Sequence, residues 1–197
     1  MVSFLFIGLI MTVLLTPGPT NTLLASSGIQ VGIQGSLKLI PSEVLGYLTA
    51  ITIWGFLLQS VSHFVPWLPP LLKLCSAAFI IYLAIKLWLT STKEIDLDQP
   101  LITYKSLFVA TLLNPKALLF ASAVFPQIVW SVPQQYFIHM GTFLMLITPI
   151  AFLWIAFGRV LISNKITWLN QRNLQRTAAF ILTFFAMPLA FSAIMSF

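Results

Sequence analysis

Six apolar runs, each long enough to cross a bilayer, alternate with short polar intervals along the chain. The runs cover about residues 2–24, 35–59, 71–89, 106–130, 136–157 and 177–197. A membrane-crossing helix needs about 20 apolar residues, so the pattern predicts six transmembrane helices. Ser26, Ser27, Gly28, Gln30, Gly32 and Gln34 read as a polar connector after the first run. Residues 60–70, with His63 and Pro66, read as a loop, and residues 131–135 as a tight turn. The most hydrophilic interval, residues 90–105, carries Lys93, Glu94, Asp96 and Asp98, and residues 159–176 form a basic, amide-rich loop. Six spans divide into two halves, about residues 1–92 and 105–197, joined by a connector over 93–104. Three spans per half make the second half enter from the opposite side. The expected fold is therefore an all-α membrane protein of six helices in two inverted three-helix repeats, forming one domain.

Two of the runs are interrupted. The first is broken at Pro17-Gly18-Pro19 and the fourth at Asn114-Pro115. Each proline removes an amide donor, and glycine loosens the turn between the first two, so carbonyls one turn earlier lose their helical partners. Thr20 and Asn21 place polar side chains beside the first break, and Asn114 does so at the second. Broken backbone inside a bilayer persists only where protein or a watery cavity covers it. The breaks fall in the first span of each half, and such matched interruptions point to a transport site near the midplane. Kinks that serve only helix packing are the plainer alternative.

Composition agrees with lipid as the solvent. Hydrophobic residues make up 59% of the chain and charged residues only 7%, against about 25% charged in soluble domains. The net charge of +6 does not indicate a nucleic-acid partner, because the basic residues are scattered along span edges. They also orient the chain. Lys38, Lys86, Lys93, Lys105, Arg159, Lys165, Arg172 and Arg176 fall on one side and Lys73 on the other, so the basic side is cytoplasmic and both termini face away from it. The first run resembles a signal peptide in length. It lacks a basic start, and Pro17 to Asn21 stand where a cleavage site belongs, so it reads as an uncleaved span. Cys75 is the only cysteine, which excludes an internal disulfide.

Two charges lie inside spans. Glu43 is about 12 Å and Lys116 about 15 Å from the cytoplasmic starts of their runs, at 1.5 Å per residue. Each costs at least about 2.5–3.5 kcal/mol there, so the two either share a partner or cavity, or snorkel separately to the interface. Tyr47 stands one turn beyond Glu43 on the same face. Substrate contact is expected at Pro17, Gly18, Pro19, Thr20, Asn21, Tyr47, Asn114, Pro115 and Lys116, and proton carriage at Glu43, the only acid within a span. No zinc-protease, nucleophile-elbow or phosphate-loop motif is present, so neither an enzyme nor a cofactor is expected. One embedded carboxylate is too few for a hard metal ion. A divalent-cation transporter and a non-transporting assembly protein of the membrane remain as alternatives.

The motifs Pro17-Gly18-Pro19-Thr20 and Leu113-Asn114-Pro115-Lys116-Ala117, with Phe120 and Pro126-Gln127 following, resemble those of the lysine-exporter and homoserine/threonine-exporter family of bacterial amino-acid efflux proteins. The resemblance covers the whole chain. It implies export of amino acids driven by the proton gradient across the bacterial cytoplasmic membrane, often by homo-oligomers. Many members carry a Gly-Asp pair where this chain reads Gly46-Tyr47. Its acid comes earlier, at Glu43, which resembles a divergent branch with Glu-x-x-Gly-Tyr.

Overall fold

The computed structural model describes residues 2–62, 64–65, 67–90, 101–163 and 171–195, and every regular element among them is helical. The helices are α1 (Phe4–Leu15), α2 (Pro19–Ser36), α3 (Ile40–Ser62), α4 (Leu68–Thr90), α5 (Tyr104–Leu112), α6 (Pro115–Leu119), α7 (Ile128–Ser131), α8 (Pro133–Ser163) and α9 (Gln171–Ile194). A 3-10 turn at Leu37–Leu39 joins α2 to α3, and a π-helical turn at Phe120–Val124 extends α6. His63, Pro66, Lys93, Glu94, Asp96, Asp98 and Lys165 lie outside the described residues.

The helices cover the six apolar runs, and α2 extends well past the first of them. The helical run Pro19–Val61 and the helix Pro133–Val160 are long and apolar enough to cross a membrane; the pair Tyr104–Leu112 and Pro115–Val124, bent by 42°, makes a third if counted as one span. The surface is apolar: Phe4, Leu89, Met145, Phe180 and Met187 are exposed, while Thr20, Asn21, Glu43, Asn114 and Lys116 are buried. Water would favour the reverse distribution, and lipid favours this one.

The connector expected over residues 26–34 is helical instead, and α2 runs through it to Ser36. Two of its serines are satisfied within the fold. The Ser27 and Ser36 hydroxyls lie 2.8 Å apart, and Ser36 also donates to Gly32 O at 2.8 Å. Gly32, at φ 72°, kinks the helix in a region open to glycine. Small residues also allow a close crossing. A Cβ on Gly28 would run into the Ile155 carbonyl on α8, and one on Gly158 into the Ala25 carbonyl on α2. Small residues that admit close backbone contact are the usual basis of helix association in lipid.

Helix pairing follows a simple scheme. The chief partner of α2 is α8, that of α3 is α5, and that of α4 is α9. The first run thus packs on the fifth, the second on the fourth and the third on the sixth.

Candidate functional site

Both interruptions end in a proline-capped half-helix. Thr16 is extended at φ −72°, ψ 133°, and closes α1; Gly18 precedes α2, with Pro19 in its first turn. In the fourth run Asn114 is extended at φ −72°, ψ 121°, and Pro115 opens α6. Proline suits that position because its missing amide would lack a helical partner anyway. The Asn114 side chain caps α6 by accepting from Lys116 N at 3.0 Å.

The breaks meet. Lys116 turns back from α6 and donates from Nζ to Val13 O at 2.8 Å and Thr16 O at 2.6 Å, the carbonyls exposed at the end of α1. Asn21 donates from Nδ2 to Leu14 O at 2.7 Å and Thr16 O at 2.8 Å, and Trp154 Nε1 donates to Leu14 O at 3.3 Å. The break therefore does not leave these carbonyls free, as the sequence leads one to expect. Two side chains near the breaks and one from α8 have taken them. Asn114 Nδ2 donates to Tyr47 OH at 2.9 Å and Thr20 Oγ1 at 3.3 Å, and those two hydroxyls lie 3.4 Å apart. Glu43 sits beside the Thr20 hydroxyl and within electrostatic reach of Lys116. Its Oε1 is buried without a hydrogen-bond partner among the described residues.

The magnitudes explain why Lys116 remains inside. A lysine at membrane depth costs about 2.5–3.5 kcal/mol. Hydrogen bonds to a charged group contribute about 1.5–3 kcal/mol each, and the negative end of the α1 dipole adds a favourable term. Two such bonds offset the cost, and snorkelling gives no advantage. Lys116 is 4% exposed and Glu43 1%, so neither side chain reaches an interface. Phe120 and Phe143 wall the cluster on one side, each ring 5.9 Å from that of Tyr47 and edge-on to it.

The chain matches the family profile described as "LysE type translocator" over residues 11–193. It belongs to this family. A relative in Escherichia coli (strain K12), named cysteine/O-acetylserine efflux protein, is 30% identical over 106 residues. The protein of the same name in Shigella flexneri serotype 5b (strain 8401) matches equally. Each alignment covers 54% of this chain and 54% of the relative, so it spans about half the length of these curated relatives. No solved structure matches significantly.

In this LysE-type chain most of the residues singled out from sequence come together. Thr20, Asn21, Tyr47, Glu43, Asn114 and Lys116 form one buried cluster, with Pro17 and Gly18 buried beside it. Pro19 is exposed and Pro115 partly so, and both act through the backbone. Sequence reasoning missed Trp154, whose indole reaches α1 from a helix 140 residues away. No local signal marks it, since a tryptophan in an apolar run reads as an interface anchor. The π-turn was missed as well: Phe125 N bonds Phe120 O at 2.9 Å, five residues back.

Proposed function

We propose that this protein exports a small zwitterionic solute, an amino acid, from the bacterial cytoplasm across the inner membrane, driven by the proton gradient. Membership of the LysE-type family supports transport, and the names of the E. coli and Shigella relatives support a small amino acid as cargo. The observation that carries the reading is the sealed cluster, in which one carboxyl and one ammonium share a site with two broken helices. A zwitterion presents the same two charges. Proton coupling falls to Glu43, whose carboxyl adjoins the hydroxyl–amide chain of Thr20, Tyr47 and Asn114.

Two inverted halves are part of the same proposal. Exchanging first run for fourth, second for fifth and third for sixth turns the packing of α1 and α2 on α8 into that of α5 and α6 on α3. It leaves α4 with α9 unchanged. That symmetry, the matched breaks and the bias of basic residues support six spans with both termini outside.

Over-expression tests the function. Untargeted profiling should show some amino acid falling inside the cells and rising outside. Unchanged solutes would favour an assembly protein, and a change confined to metal content would favour a cation carrier. Tags at either terminus should be reachable only from the non-cytoplasmic side.

A further inference from the structure

The carbonyls at the end of α1 form a cradle made of main chain. Val13 O and Thr16 O point at one ammonium, that of Lys116, at 2.8 and 2.6 Å. Gly18 keeps the approach open, because a Cβ there would lie 2.9 Å from Lys116 Cε and 3.0 Å from Nζ. Carbonyls at the C-terminal end of a half-helix favour positive charge and accept hydrogen bonds from any N–H donor.

We propose that this cradle is a binding site for a primary alkylammonium, with Lys116 as its tethered resident, and that the ammonium of a transported solute takes the place of Lys116. The idea rests on the exporter reading and adds where the solute's ammonium binds and what it must displace. The four-carbon stem of lysine is flexible, so its head can leave while the helix stays in place. Glu43 offers the displaced head a second station: it lies within electrostatic reach, and its Oε1 has no hydrogen-bond partner among the described residues. One ammonium enters as another moves over, so the cradle is never left bare. A tethered occupant competes at millimolar effective concentration or above. Small cations are thereby kept out, and the solute must add contacts of its own to win the site.

The test uses purified full-length protein in detergent and reads thermal unfolding. Wild type, Lys116→Met and Lys116→Gln are titrated with methylammonium chloride, and with tetramethylammonium chloride as a cation that has no N–H donor. Both variants should melt several degrees higher with methylammonium and stay unchanged with tetramethylammonium, while wild type shifts much less. Lys116→Gln keeps one amide donor for the carbonyls and serves if Lys116→Met folds poorly. Methylammonium present throughout extraction should also recover folded Lys116→Met. Variants that do not respond, a wild type that responds as strongly as they do, or a variant that stays aggregated with and without the amine would each overturn the proposal. No transport is measured, so failure here leaves the exporter reading intact, and failed export in cells leaves the cradle intact.

Discussion

The two helix breaks share a backbone plan and differ in chemistry. In each an extended residue, Gly18 or Asn114, directly precedes a proline in the first turn of the next helix. At the second break the chain serves itself, since the Asn114 side chain caps its own half-helix. At the first break Gly18 offers no side chain to cap α2. The end of α1 is completed by Asn21, Trp154 and Lys116. In the bonds that run between the breaks, the second donates through Asn114 and Lys116 and the first accepts. Two breaks of like backbone geometry can thus carry complementary side-chain chemistry.

The strongest way to break this comparison is to remove the acid between the two. Glu43→Gln should abolish proton-driven export, together with its dependence on pH, while membrane insertion is retained. Radiolabelled amino-acid flux in inverted vesicles measures both. A variant that transports like wild type at every pH would remove Glu43 from the mechanism.

Lys116→Met cuts the tie between the breaks. The cradle then has no resident to displace a bound solute, so export should slow by about tenfold, or about 1.4 kcal/mol, more than protein abundance falls. Flux normalised to immunoblot signal checks this.

A paired substitution sharpens the contrast. Asn114→Ala removes a cap that contributes about 1–2 kcal/mol and should lower the melting temperature. Gly18→Ala removes no cap and meets only the flexible end of Lys116. Its effect should fall on export and spare the melt. Similar melting losses in both variants would contradict the donor–receiver division. The smallest effect is expected from Pro115→Ala, within about 0.5 kcal/mol of wild type in the same melt, because Asn114 keeps its cap.

The breaks and the buried charges were legible in the sequence because proline, glutamate and lysine are costly inside an apolar run. Their cost marks them without any knowledge of neighbours. The fate of the carbonyls was not legible. Lys116 reaches Val13 across 103 residues and Trp154 reaches Leu14 across 140, and one sequence carries no trace of such meetings. The polar stretch after the first run misled for a related reason. Serines and glycines read as loop when their partners are unseen, and here those partners are each other and the backbone of α8.

The crossing at Gly28 and Gly158 bears on movement. Main chain meets main chain there, Gly28 against Ile155 and Gly158 against Ala25, so a turn of one helix against the other would centre on these points. Such a contact works as a pivot. The arm of α2 from Gly28 back to Pro19 is about 14 Å long, and a tilt of about 10° would carry its end about 2 Å. Thr20 and Asn21, one to two turns of helix from the pivot, would swing with that arm while the bearing surface barely moved.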